Sequence, residues 1–530
     1  MSTPWWRDAV VYQIYPRSFA DSDGDGMGDL SGITSRLSHL VDLGVDALWL
    51  SPFFRSPQKD GGYDVADYCD VDPLFGTLAD CDALMARAHE LGLKVIVDLV
   101  PNHTSDEHAW FRAALASAPG SPERARYIFR EPDAAAPGVP PNNWLSVFGG
   151  SAWAKHPDDP HGEWYFHLFD ASQPDLDWRN PEVADMFDDV LRFWLERGVD
   201  GFRVDVAHGL FKADGMPDQV MSDGGELTSE PSDMVRRGLT EAPMWDQPEV
   251  HEVYRRWRKI LESYTAESGV ERMMVAEAMP LTAAGMARYV RADEFQQAFN
   301  FAFQWADWGA PQFRRVISET MEALRTIGSP PTWVLDNHDQ PRHVTRYGGG
   351  PLGLARARAA TLLMLALPGS AYLYQGEELG LPEAEVAPEF RQDPRTDRVG
   401  RDGCRVPIPW SGSASPYGFG PEGSTPWLPQ PEDWAPLTVE AESGVEGSTL
   451  ELYRSALAAR RSLSGDDVEL LDAPYEVVAV RRGEVEIWLN AGAEPVPLPE
   501  GSVILSSEPL ADVLPPDACA WLRVQSRASL

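Results

Sequence analysis

The chain has 530 residues, 82 of them acidic and 45 basic, for a formal net charge of −37. Hydrophobic residues make up 43% and charged residues 24%, a balance that excludes wholesale disorder. So negative a surface repels phosphate backbones and anionic lipid, which excludes nucleic acid and membrane surfaces as partners and favours a neutral or cationic ligand or a bound metal cation.

The N-terminal MSTPWWRDAVVYQIYP has neither a basic n-region nor an apolar h-region. No run approaches the ~18–20 apolar residues of a membrane span; the longest, from Thr361, is cut by Pro368 and Gly369. Four cysteines are few for a secreted chain that leans on disulfides, although the count leaves room for two bridges. These features predict a soluble cytoplasmic protein with no obligate protein partner.

Short runs rich in Val, Ile, Leu and aromatics begin at Val11, Ala47, Lys94, Gly201, Met273, Phe299, Thr332 and Ala371. Most are nearly continuous in hydrophobicity, as parallel strands buried on both faces are. Between them lie stretches such as Gly32–Gly44 and Asp80–Gly92, with apolar residues three and four apart and a closing glycine. Strand–helix alternation repeated eight times predicts an α/β fold, a (β/α)8 barrel. The gap of about 100 residues after the third strand is too long for one loop and helix. It is rich in Pro, Gly, Trp and His, with little helical periodicity, and reads as an inserted domain. A second irregular stretch spans 381–446. A helix follows from Thr449, and then alternating runs read as an antiparallel β domain. The expected division is a barrel over 1–103 and 174–463, an inserted domain over 104–173 and a C-terminal β domain over 464–530.

Catalytic side chains of such a barrel sit at the C-terminal ends of its strands. Polar residues there are Asp98, Asn102 and His103; Arg203, Asp205 and His208; Glu277; and His338, Asp339 and Arg342. A single Asp at a strand end is ordinarily a helix cap, but four such sites on separate strands at one face make coincidence a poor account. Three carboxylates with neighbouring Arg and His suit glycoside cleavage, which needs one ionised carboxylate and one carboxylic acid beside an oxocarbenium-like transition state.

These motifs in order, with the QPDLDW segment Gln173–Trp178, resemble an α-glucosidase of the α-amylase family, glycoside hydrolase family thirteen, over essentially the whole chain. The resemblance implies the same barrel, inserted domain and C-terminal β domain. It makes Asp205 the nucleophile, Glu277 the general acid/base and Asp339 a third carboxylate that binds sugar hydroxyls. Arg203, two residues before Asp205 and so on the same strand face, is expected to hold Asp205 ionised. The apolar neighbours of Glu277 are expected to favour its neutral form. His103 and His338 would donate to glucose hydroxyls, while Asp98 organises the site. Asp60 would grip the non-reducing glucose with Tyr63 stacked beneath it. Arg405 would pair with Asp60, with Arg401 a competitor that spacing does not separate. Phe148 and Phe169 form either an aromatic wall or ordinary core of the inserted domain.

The loop DSDGDGMGDL, from Asp21, places Asp21, Asp23 and Asp25 at positions one, three and five and Gly26 at six of an EF-hand-like opening, but Gly32 stands where the bidentate Glu belongs. Four carboxylates would repel a phosphate, so Gly24, Gly26 and Gly28 do not read as a dinucleotide turn. The resemblance implies a structural Ca²⁺, or Mg²⁺, held by Asp21, Asp23, Asp25, Asp29 and the carbonyl of Met27; a solvated acidic turn is the alternative.

The activity so implied is that of a retaining exo-α-glucosidase. It would remove terminal α-1,4- or α-1,6-linked glucose from short oligosaccharides and transfer it when a sugar replaces water. The alternative is a trehalose synthase or other α-glucosyl transferase or isomerase on this scaffold. In related enzymes Val directly after the nucleophile, as Val206 is here, accompanies α-1,6 cleavage, but the following Ala207-His208-Gly209 departs from that context. An ancillary subunit of an amino-acid transporter shares the barrel, but it needs a membrane span and usually has a degraded catalytic set.

Overall fold

The computed structural model describes residues 3–219, 243–280, 282–394 and 400–524. Eight parallel strands form its centre: β1 (Val10–Ile14), β2 (Ala47–Leu50), β3 (Lys94–Leu99), β4 (Gly201–Val204), β5 (Met273–Ala276), β6 (Gln297–Ala298), β7 (Thr332–Val334) and β8 (Ser370–Tyr374). Their spatial order is β6-β5-β4-β3-β2-β1-β8-β7. Apart from Lys94 every strand residue is buried, which is why the runs carry no alternation. The Asn300 N–H, donating to the Thr332 carbonyl at 3.0 Å, ties the seam between β6 and β7. The result is a nearly closed (β/α)8 barrel.

The sixth strand departs from expectation. It ends at Ala298, and the run from Phe299 turns into the short helix Phe301–Gln304. The Asn300 side chain caps that helix by accepting the Phe303 N–H at 3.2 Å. A short, wholly buried apolar run has no periodicity to tell strand from helix.

The flanking helices begin and end as their sequences dictate. Asp29 caps Leu30–Leu43, which stops at Gly44 with φ 97°, a left-handed turn that favours glycine. Thr77 and Asp80 form a reciprocal capping box for Leu78–Glu90.

Between β3 and β4 lie the helix Ala109–Ala116 and a three-stranded antiparallel sheet of Phe129–Arg130, Trp164–Phe166 and Trp153–Ala154. The helix has 8 residues, too few for its period to show in the sequence. Trp144, Trp153, Phe166 and Leu168 form a core there that also takes in Val206 and Trp245 from the barrel side. At the C-terminus, Glu469–Leu470, Val477–Arg482, Val485–Asn490, Ala518–Arg523 and Ser502–Ser506 pair in that order as an antiparallel sheet. It packs on the helix Gly350–Ala366, with the Trp521 indole donating to the Leu362 carbonyl at 3.0 Å. All four cysteines are free thiols. Among the described residues no helix is long and apolar enough to cross a membrane.

Candidate active site

One buried guanidinium organises the centre. Arg203 Nη1 lies 2.9 Å from Asp98 Oδ1 and 2.5 Å from Asp205 Oδ1, and Nη2 lies 2.7 Å from Glu277 Oε2. One guanidinium thus holds the Asp205 and Glu277 carboxyls side by side. The same Oε2 accepts the Val206 N–H at 3.0 Å. Val206 holds φ 46°, a left-handed value rare for a β-branched residue. The strained turn thus sits between the two carboxylates and joins them.

Arg203 does not by itself keep Asp205 ionised, contrary to expectation. Burial is the largest influence and pushes the Asp205 carboxyl well up; Arg203 pulls it down, and the charges of Glu277 and Asp98 push it up again. Burial likewise pushes Asp98 up to about 7, against the pull of Arg203. Nor does Glu277 sit in an apolar setting, since a guanidinium and an amide hold one of its oxygens. One cation among three buried carboxylates leaves a surplus of negative charge, so the cluster keeps a proton that belongs to the group rather than to one residue.

Around this centre the pocket has two arcs. The first comes from β1, β2, β3, β7 and the segment after β8. Tyr63 donates to Asp98 Oδ2 at 3.1 Å, and its ring stacks on His338 with centroids 5.2 Å apart and planes 5° apart. His338 Nδ1 is 2.7 Å from Gln13 Nε2, and Nε2 is 3.3 Å from Asp339 Oδ2. His103 Nε2 approaches the Tyr63 carbonyl and Gln173 Nε2, each at 3.2 Å, and Gln173 donates to Asp60 Oδ2 at 3.1 Å.

Arg401, not Arg405, is the partner of Asp60. Its guanidinium lies 2.6 Å from Asp60 Oδ1, 3.0 Å from Asp339 Oδ1 and 2.9 Å from Asp393 Oδ1, and Arg401 lines the pocket. Arg405 stands behind it, with Nη2 2.8 Å from Asp339 Oδ1 and Nε donating to the His338 carbonyl at 2.8 Å. The two arginines are one helical turn apart and face the same way, so spacing could not choose between them. Burial works against the Asp339 carboxylate, yet His338, Arg401 and Arg405 together hold it far below the usual carboxylate range. Phe148 and Phe169 do line the pocket as a wall, with rings edge to face at 5.8 Å and the Arg401 guanidinium 5.3 Å over Phe148.

The second arc follows β4, β5 and β6 and contains Val206, His208, Trp245, Glu277, Gln304 and Trp305. His208 stacks on Trp245 at 4.6 Å with planes 15° apart. Burial, with nearby Lys212 adding to it, pushes the His208 imidazole down to about 3. Sequence reasoning singled out His208 as a strand-end residue but gave it no role. It passed over Trp245, Gln304 and Trp305: Trp245 belongs to no motif, Gln304 ends a run read as strand, and Trp305 follows that run.

In the acidic loop, Asp21, Asp23 and Asp29 each bring an oxygen within 4.8 Å of the others. Asp25 stands outside this cluster, its carboxylate accepting the Met27 N–H at 2.8 Å. Asp21 also accepts the N–H groups of Gly24 at 2.6 Å and Gly26 at 3.0 Å. The loop braces a distant segment: the Asp21 N–H donates to the Phe419 carbonyl at 2.8 Å, and the Trp427 N–H to the Gly26 carbonyl at 2.9 Å. None of these residues lines the pocket.

Residues 13–464 match the family described as alpha amylase, catalytic domain. A probable alpha-glucosidase of Rhizobium meliloti (strain 1021) is 41% identical over 494 residues, spanning 88% of this chain and 85% of that protein. Maltase 1 of Drosophila virilis is 39% identical over 478 residues, 86% of this chain and 73% of that one. Among solved structures, the alpha-glucosyl transfer enzyme XgtA is 37% identical and aligns with a TM-score of 0.87 over 98% of this chain and 100% of that chain. Carboxylates at the ends of β4, β5 and β7 of one barrel, together with a match over most of its length, place the chain in the α-amylase family of glycoside hydrolases.

Proposed function

We propose that the chain is a retaining exo-α-glucosidase that removes terminal, non-reducing α-linked glucose from short oligosaccharides. The observation that carries this reading is the shared grip of Arg203, whose Nη1 lies 2.5 Å from Asp205 Oδ1 and whose Nη2 lies 2.7 Å from Glu277 Oε2, which holds the two carboxyls close together. An inverting enzyme needs its carboxyls ~6.5–9.5 Å apart to seat a water between them, whereas retaining chemistry needs them close. Asp205 attacks the anomeric carbon as the bond to the leaving oxygen breaks, and Glu277 gives that oxygen its proton. Water then attacks the glucosyl–Asp205 ester, returning its proton to Glu277 and freeing Asp205. As Asp205 gives its charge to the ester, Arg203 still neutralises its neighbours. The Tyr63–His338 stack forms a flat platform for a sugar ring, and Asp60, His103, Arg401 and Asp339 are placed to take its hydroxyls.

The names of the relatives support an α-glucosidase, and that of XgtA supports a second reading, glucosyl transfer to a sugar in place of water. Rates on maltose, isomaltose, sucrose, trehalose and p-nitrophenyl α-glucoside, with products followed by NMR, separate the two. α-Glucose as the first anomer and as the common product from maltose and maltotriose is expected. β-Glucose first would sink the retaining assignment, and viscosity loss in amylose before glucose appears would sink exo action.

The acidic loop is read as a structural cation site. Asp21, Asp23 and Asp29 offer hard oxygen ligands of the kind Ca²⁺ or Mg²⁺ takes. A cation there would fasten the loop, and through it the Phe419–Trp427 segment, to β1. EDTA is expected to lower Tm while leaving KM for maltose unchanged. An unchanged Tm, with no metal found by elemental analysis of the purified protein, would overturn the site.

A further inference from the structure

Gln13 places an amide in β1, a strand whose 5 residues are all buried. Its Nε2 lies 3.0 Å from Ser51 Oγ and 2.7 Å from His338 Nδ1, while its Oε1 is buried without a partner among the described residues. Turning the amide over would only move the deficit, giving Oε1 both neighbours and leaving Nε2 with none. Either orientation leaves one buried polar atom unsatisfied, so the choice falls to His338.

His338 is fully buried, and Tyr15 and Tyr63 both stack on its ring, with planes 20° and 5° apart. Arg405 Nε donates to its backbone carbonyl at 2.8 Å. The plane of the ring is therefore set, and what is left to decide is which nitrogen carries hydrogen. Burial, helped by the charges of Arg405, Arg203 and Arg401, outweighs the pull of Asp339 and pushes the imidazole well below its ordinary value. The ring is thus neutral, with one nitrogen a donor and the other an acceptor. Nε2 faces Asp339 Oδ2 at 3.3 Å, and that carboxyl is ionised. A bare nitrogen there would set its lone pair against a negative charge. Nε2 therefore carries the hydrogen, Nδ1 is bare, and Gln13 offers Nδ1 an amide N–H. The second amide hydrogen goes to Ser51.

We propose that Gln13 is a positioning residue, whose N–H on Nδ1 fixes His338 in the tautomer that presents Nε2–H to a glucose hydroxyl. The identity of the sugar rests on the α-glucosidase reading. A hydroxyl can donate or accept, so once a sugar takes Nε2 from Asp339, only the partner of Nδ1 still sets the tautomer.

Side-chain NMR of protein isotope-labelled in its histidine nitrogens reads the tautomer directly, with His338→Asn identifying the signal. The unaltered protein is expected to hold hydrogen on Nε2 and none on Nδ1, both free and with glucose bound. Hydrogen on Nδ1 overturns the proposal. Gln13→Glu offers Nδ1 an acceptor of the same size. At alkaline pH it is expected to move hydrogen onto Nδ1 and to lower kcat/KM by about tenfold. The loss should be equal for maltose and p-nitrophenyl α-glucoside, which present the same glucose. A variant with no hydrogen on Nδ1, or with hydrogen there and kcat/KM unchanged, overturns the proposal. If Gln13→Glu does not fold, judged by Tm, Gln13→Met takes its place. With glucose bound it should show hydrogen on Nδ1 in part of the molecules, and a ring that keeps Nε2–H alone overturns the proposal. If the unaltered protein cleaves neither substrate, the α-glucosidase reading fails, and the tautomer of the free protein still decides the role of Gln13.

Discussion

The two arcs of the pocket are made of different material. On one side buried charges are knit together: Asp60, Asp339 and Asp393 share Arg401, and Asp339 also takes Arg405. On the other side the polar groups other than Glu277 are neutral and set among aromatic rings, and the Gln304 amide has no partner among the described residues. Buried ion pairs add little net stability, because desolvation consumes most of the attraction. What the knit side gains is fixed geometry, suited to one sugar held in one orientation.

The sharpest way to break this comparison is to change Glu277, which stands between the arcs. Glu277→Gln is expected to lower kcat on maltose by about 10²–10⁴-fold, and p-nitrophenyl α-glucoside should suffer far less, since p-nitrophenolate leaves without being protonated. Equal losses on both substrates would mean that Glu277 is not the proton donor. Next in size is the knit side. Arg401→Lys loses the planar fork that serves three carboxylates, and KM should rise on the order of a hundredfold. The rise should be the same for both substrates, because both present the same glucose. A rise confined to maltose would place Arg401 in the leaving-group arc and dissolve the distinction.

What the sequence showed depends on which arc is read. Strands buried on both faces are a local signal, and they located the barrel; acids at strand ends drew attention to Asp205, Glu277 and Asp339, which lie in one pocket. The knit arc was legible because its charged residues sit in short, distinctive motifs. The choice of Arg401 over Arg405 was not, since residues one helical turn apart differ only in what lies opposite them in space. The second arc was mostly invisible. Trp245 reaches the pocket by packing over Gly209, a contact between residues 36 apart in sequence, and Gln304 arrives because a buried apolar run coils instead of extending. Absence of a hydrogen-bond partner is a tertiary fact with no mark in the sequence at all.

A third test concerns the proton held between the arcs. The charge of Asp98 pushes Asp205 upward, so Asp98→Asn should make the cluster release its proton more readily. The alkaline limb of kcat/KM should move to lower pH by ~1 unit; a limb that stays put or moves upward would contradict a shared proton. Stability carries the same contrast with opposite signs. Asp98, raised to about 7 in the fold, contributes stability below the unfolded carboxylate pKa of ~3.9 that is lost as pH rises through about 7. Asp339, held low, contributes stability above ~3.9 that is lost only as pH falls far into acid. Melting curves of Asp98→Asn should therefore fall less between pH 5 and 8 than those of the unaltered protein.

The smallest effect belongs to the residue that joins the arcs. Val206 follows Asp205, donates its N–H to Glu277 at 3.0 Å and lines the pocket in the left-handed conformation. Its side chain packs in the cluster with Trp245 and Val147, beside Gly209. Its two methyl groups therefore narrow the second arc without touching the knit one. An α-1,6 linkage has an extra rotatable bond and passes a narrower neck than an α-1,4 linkage. Val206→Ala widens the neck and should raise kcat/KM for maltose relative to isomaltose by roughly tenfold, the scale of one or two methyl groups in a pocket. The backbone N–H survives the change, so kcat on p-nitrophenyl α-glucoside should hold within about threefold if Glu277 keeps its position. A fall on that substrate with no change in the linkage ratio would show that Val206 acts by placing Glu277. The choice of linkage would then lie elsewhere, with the segments after the fourth and eighth strands.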